Sequence, residues 1–202
     1  ALAPDRAWDA PQEPGAGEAL QRTVRDALGQ ADPVNADPSD SDERPPHPGD
    51  AAVSRATAAL RRAYRDRLTA IVADDLTSAD PIEHVPTVCR RMTELADAAL
   101  DAALLVARAA VGPQADDVAL AVIAMGKTGA RELNYISDVD VVYVVGPTHE
   151  ACGAQEPISE ERLVEVGTHV ATELAHVVSA TAPEPPLWPL DTALRPEGKD
   201  GA

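Results

Sequence analysis

The spacing of apolar positions divides the chain into helical and strand-like stretches. Residues 17–30 (GEALQRTVRDALGQ) have the spacing of one short amphipathic helix. From Ala51 the apolar positions Leu60, Tyr64, Leu68, Ile71 and Val72 recur at steps of three and four, predicting a helix over about 51–76. Arg61, Arg62, Arg65 and Arg67 lie along it and read as a charged solvent face, with a phosphate-binding face as the functional alternative. Asp80-Pro81 has the form of an N-cap followed by proline at the first helical position. Pro86 is expected to limit that turn. A second long helix follows over about 87–111, with Met92, Leu95, Ala99, Ala102 and Val106 on one face, and Gly112-Pro113 ends it.

After Asp117 the period changes. Val118 to Met125 (VALAVIAM) is a continuous apolar run of strand length, and Gly126 to Asn134 reads as a glycine-containing loop with a short helical piece. Val139 to Val145 (VDVVYVV) is a second strand, apolar on both faces and so expected at the centre of a covered sheet. Ser159 caps a third long helix with the core stripe Leu163, Val166, Val170, Leu174 and Val177, and Glu160 and Glu161 suit its positive end. After a Pro-rich connection at 181–186, Leu187 to Leu194 (LWPLDTAL) reads as a third strand, with Pro189 marking an edge or a bulge. Helices first, then strands and helices mixed, give an α+β chain.

Composition adjusts this picture. The apolar fraction of 45% includes 39 alanines, no Phe and five aromatic residues, so Leu, Val and Ile supply the core and Ala allows close approach. Residues 32–50 hold five prolines and six acids and cannot bury a face, so they read as an exposed linker, with an acidic docking segment as the alternative. The net charge of −17 argues against a nonspecific nucleic-acid binder, which needs clustered Lys and Arg, but leaves room for a nucleotide site built on a few donors or a metal. Two cysteines make neither a disulfide framework nor a zinc pattern, and a reducing cytoplasm is the simple reading. No apolar run reaches the length of a membrane span, and no signal peptide is visible. The start without Met and the end at Lys199-Asp200-Gly201-Ala202 suggest a piece of a longer polypeptide.

The chemistry concentrates in Gly126-Lys-Thr-Gly-Ala-Arg-Glu-Leu-Asn-Tyr-Ile-Ser-Asp-Val-Asp140. A strand delivers the chain to a turn with glycines at 126 and 129, where the backbone can approach a ligand and aim N–H groups at phosphate oxygens. Ser137 precedes Asp138 and Asp140, which open the next strand. Residues two apart on a strand project to one side, so this pair can hold a divalent metal. Asp191, in the third strand, is placed to complete a two-metal site for phosphoryl or nucleotidyl displacement. An Asp-x-Asp at a strand end is common by itself. The specific signal is the order strand, glycine loop, Ser-Asp-x-Asp strand, helix, Asp strand. The weaker candidates read blandly: His169 and His176 as packing or surface residues, His149 and Cys152 as loop residues, and Trp188 as sheet packing or, alternatively, stacking on a base.

That order resembles the polymerase-beta-type nucleotidyltransferase superfamily. The wording AMGKTGARELNYISDVDVVYV, followed by WPLDTALRPEGKDGA, is similar to the glutamine synthetase adenylyltransferase/adenylyl-removing enzyme family. The resemblance is strongest over about 118–145 and 187–202. It implies a nucleotidyltransferase-type mixed sheet flanked by helices, a catalytic core over 113–202 that stops just after the third strand, and a helical lead-in over 51–112. Residues 1–50 remain mostly linker with one short helix. It implies Asp138, Asp140 and Asp191 as ligands of two Mg²⁺, Gly126, Lys127 and Gly129 as the phosphate loop, Ser137 before the pair, and Arg195 after the third acid. The wider superfamily has Ser where this chain has Lys127. A hydroxyl contact is therefore lost there, and Lys127 is left either to supply a cation or to face solvent.

The family has two catalytic halves. One attaches AMP from ATP to a tyrosine of glutamine synthetase; the other removes it with phosphate and releases ADP. The ELNYISDVD wording is more similar to the first, adenylyl-removing half. The resemblance further implies glutamine synthetase as partner, a PII-type nitrogen signal protein as regulator and a cytoplasmic location. The alternatives are a nucleotidyltransferase with another substrate and a non-catalytic nucleotide-binding module.

Overall fold

The computed structural model describes residues 15–29, 49–152 and 158–192. The Pro-rich opening, most of the predicted linker, Arg195 and the end of the predicted third strand lie outside the described residues. Helix α1 (Ala16–Gly29) buries Leu20 and Val24, and α2 (Asp50–Thr77) buries Leu60, Tyr64 and Ile71. These two helices pack on each other and on the long helix α3 (Pro81–Val111). Ala96, Ala99, Ala102 and Ala103 of α3 are fully buried, so small side chains let it pack on several neighbours at once.

Helix α3 begins at Pro81 and runs through Pro86, rather than starting after it. Asp80 caps it, its Oδ1 accepting from the Glu83 N–H at 3.2 Å. Pro86 removes the bond to the carbonyl of Ile82 and crowds that carbonyl, but the residue is 83% exposed, so water can serve the group. The buried run that begins at Val88 then carries the helix on.

Strand β1 (Val118–Ala124) follows a 3₁₀ turn at Pro113–Ala115. A single-turn helix α4 (Gly126–Gly129) separates it from β2 (Val139–Pro147). The strands pair antiparallel, with Val118 opposite Pro147 and Ala124 opposite Val141. The short α5 (His149–Cys152) precedes α6 (Glu160–Ser179), where Ser159 Oγ accepts from the Arg162 N–H at 3.2 Å. Helix α6 is the crossover to β3 (Leu190–Asp191), which pairs parallel to β2. The described residues thus form an α+β chain with a mixed sheet in the order β1-β2-β3. One sheet face, carrying Val118, Leu120, Val139 and Val141, joins the core shared with α3 and α6.

Three further expectations change. Strand β2 is central, but its other face is not covered among the described residues: Val144 is 54% and Ile123 45% exposed. Strand β3 spans two residues because Pro186 and Pro189 lack donors and the Leu187 N–H turns to the carbonyl of Val178 at 2.9 Å. Finally, Arg61 does not face solvent: it is 0% exposed and donates to backbone carbonyls of α6 and the following connection. Its position three before Tyr64 and seven before Leu68 puts it on the apolar face, where it reaches carbonyls that need a donor.

Burial pushes the phenols of Tyr64 and Tyr143 up to about 12. The unfolded chain releases such protons near pH ~10, whereas the folded chain keeps them until about 12. Stability should therefore fall as pH rises across that interval. An alkaline titration of phenolate absorbance should show these two tyrosines ionising late; ordinary ionisation in the folded protein would contradict their burial.

Candidate metal centre

The sheet brings three carboxylates together. Asp140 lies opposite Asp191 in the β2–β3 register, one residue after the Val139–Leu190 pair. Asp138 stands two residues before Asp140, at the mouth of β2. One carboxylate oxygen from each of Asp138, Asp140 and Asp191 lies within 4.8 Å of the others. Among the described residues this is the one such group of three acids, histidines or cysteines, and it does not include His149, Cys152, His169 or His176. Asp138 is exposed and the other two are half-buried, so the site opens to solvent. All-carboxylate oxygen donors suit a hard divalent cation such as Mg²⁺ or Mn²⁺ and do not suit zinc bound through sulfur or imidazole.

The glycine turn closes one side of this group. Gly126 has φ +53°, and a Cβ there would stand 2.1 Å from Asp140 Oδ2. The missing side chain therefore leaves the carboxylate its place. The Met125 N–H donates to the carbonyl of Asp140 at 2.8 Å and ties the turn to β2. At Gly129 a Cβ would lie 2.6 Å from the carbonyl of Ala124, so this residue seats α4 on the end of β1.

Lys127 Nζ donates to Ser137 Oγ at 3.2 Å, and Ser137 Oγ donates to Asn134 Oδ1 at 2.8 Å. Lys127 and Ser137 thus meet beside the acid pair, on a loop braced internally by Asn134, whose Oδ1 also accepts from the Ile136 N–H at 3.1 Å. Arg195 falls outside the described residues. Trp188 is 7% exposed and packs on Tyr64 with ring centroids 5.0 Å apart, so it serves the core and is not open to a base.

Two contributors carried no local signal. The Tyr135 hydroxyl donates to Asp75 Oδ2 at 2.8 Å, joining the loop before Asp138 to the end of α2. Thr128, 2% exposed, has an Oγ1 without a hydrogen-bond partner among the described residues. Sixty residues separate Tyr135 from Asp75, so no periodicity links them. The spacing Gly-x-x-Gly gives Thr128 no particular direction.

The sequence profile of the glutamate-ammonia ligase adenylyltransferase family matches residues 17–202. The chain belongs to this family. It is 44% identical over 153 residues to the bifunctional glutamine synthetase adenylyltransferase/adenylyl-removing enzyme of Bifidobacterium longum (strain DJO10A), covering 74% of this chain and 14% of that protein. Similarly named proteins of Leifsonia xyli subsp. xyli and Nocardia farcinica are 41% identical over 160 residues and 45% identical over 151. Those matches cover 75% and 73% of this chain, and 15% and 13% of the relatives. The chain thus spans about one seventh of the curated glutamate-ammonia ligase adenylyltransferases it matches.

Gly126→Ala tests the turn. The added methyl meets Asp140, and the left-handed backbone costs a non-glycine residue about 1–2 kcal/mol. We expect a loss of about that size in urea denaturation, together with weaker Mn²⁺ binding by calorimetry. Unchanged Mn²⁺ binding would show that Gly126 does not set the position of Asp140.

Proposed function

We propose that this chain carries the nucleotide-handling core of a glutamine synthetase adenylyl transferase or adenylyl-removing activity, dependent on Mg²⁺. The observation that carries the reading is the convergence of Asp138, Asp140 and Asp191 within 4.8 Å beside the Gly126 turn, in a chain of this family. These three residues would hold two Mg²⁺ ions. The metal supplies neutralisation of phosphate charge and a lowered pKa for an attacking oxygen. The chain supplies position. Gly126 keeps the space beside Asp140 open, and the backbone N–H groups of the 126–129 turn, Lys127 and Arg195 orient the phosphates. Ser137 holds Lys127 toward the acid pair.

In the removing direction, an oxygen of inorganic phosphate attacks the phosphorus of the AMP group. The bond from phosphorus to the tyrosyl oxygen breaks, that oxygen takes a proton, and ADP leaves. In the attaching direction, the tyrosyl oxygen gives up its proton and attacks the α-phosphorus of ATP, and pyrophosphate leaves. The ELNYISDVD wording favours removal for this chain. The names of the relatives support glutamine synthetase as protein substrate, and family resemblance supports a PII-type protein as regulator.

The test is ADP release from adenylylated glutamine synthetase, phosphate and Mg²⁺, using the full-length protein. Asp138→Asn and Asp140→Asn should each lower the rate by about 10³-fold or more, the scale of losing several kcal/mol of charge stabilisation. The melting temperature should barely change, because both side chains lie at an open site. Retained activity in either variant would refute the metal assignment. ATP-dependent labelling without ADP release would transfer the chain to the attaching direction.

A further inference from the structure

Arg61 lies on α2, outside the acid group, and is fully buried. Its Nε and Nη2 donate to the carbonyl of Val177 at 2.9 and 2.8 Å, Nη2 also to that of His176 at 3.1 Å, and Nη1 to that of Glu184 at 2.8 Å. The first two carbonyls belong to the last turn of α6, where the helix dipole is negative; that of His176 also accepts from the Ala180 N–H at 3.0 Å, while that of Val177 lies beyond the last intrahelical bond. A guanidinium carries five donors in a rigid fork, so one side chain serves three carbonyls. A buried charge is costly unless it is hydrogen-bonded in this way.

The same face of α2 grips the following segment. Arg62 and Arg65 hold the Glu184 carboxylate at 2.8 and 3.0 Å, and Arg65 also donates to the carbonyl of Pro185. Tyr64 packs on Trp188. Ser179 Oγ donates to the carbonyl of Trp188 at 3.0 Å, and the Val139 N–H donates to that of Pro189 at 3.0 Å. The chain is therefore fixed at successive points from His176 to Pro189. The next two residues are Leu190 and Asp191, the whole of β3. Two paired residues make a strand shorter than the usual three to ten, so the fixed segment before it adds to the pairing with β2.

We propose that Arg61 is a positioning residue for the third acid: by clamping the end of α6 and the Glu184 carbonyl, it fixes the connection that presents Asp191 to Asp138 and Asp140. The inference rests on the metal reading above. Outer-shell partners of metal ligands typically contribute about 10–100-fold in metal affinity. Arg61 acts through backbone further along the chain, so the lower end of that range applies.

Electron paramagnetic resonance of Mn²⁺ with the full-length protein tests this. The Mn²⁺ bound by wild type but lost in Asp138→Asn is the signal of this site. In Arg61→Met its affinity should fall about tenfold. Arg61→Lys keeps the charge but not the fork and should fall between the two. Leu20→Ala on α1 lowers stability away from the 176–191 segment and should bind Mn²⁺ as wild type does. Normal affinity in folded Arg61→Met, or an equal loss in Leu20→Ala, would overturn the positioning role and leave the metal reading standing. If Arg61→Met does not fold, normal affinity in Arg61→Lys overturns it. If wild type and Asp138→Asn bind alike, the metal reading fails and takes this inference with it.

Discussion

Three carboxylates with oxygens within 4.8 Å of one another repel. The surrounding chain has to hold them together. Asp138 and Asp140 share one strand and cannot separate far. Asp191 comes from 51 residues beyond Asp140, on a strand of two residues that pairs with β2.

The lead-in helices supply that rigidity. Helix α2 reaches the site at two points: Arg61 secures the segment leading to Asp191, and Asp75 holds Tyr135 in the loop leading to Asp138. Fourteen residues of helix separate them, about 21 Å at 1.5 Å per residue. A helix of that length is stiff, so α2 sets a fixed span between the two arms that bring the acids in. The apolar stripe facing α3 keeps it in place. The lead-in helices are thus mechanically joined to the sheet that holds the three acids.

The glycine turn does the complementary work. Its left-handed residue leaves the space beside Asp140 for an oxygen rather than a methyl group, and its backbone ties to the carbonyl of the same aspartate.

What the amino-acid order determined by itself was what depends on neighbours within a few residues. The stripes of α2, α3 and α6, the caps at Asp80 and Ser159, the run of β1 and the shared side of Asp138 and Asp140 all follow from fixed helical or strand period. The glycine turn was legible for the same reason. Only the tertiary structure decided the rest. Pro86 stays inside α3 because packing beyond it outweighs one missing bond. Arg61 leaves the solvent because carbonyls more than a hundred residues away need donors. Trp188 is buried by Tyr64, and β3 shrinks because Leu187 finds its acceptor on α6. Each of these depends on partners distant in sequence, and periodicity holds no information about such partners.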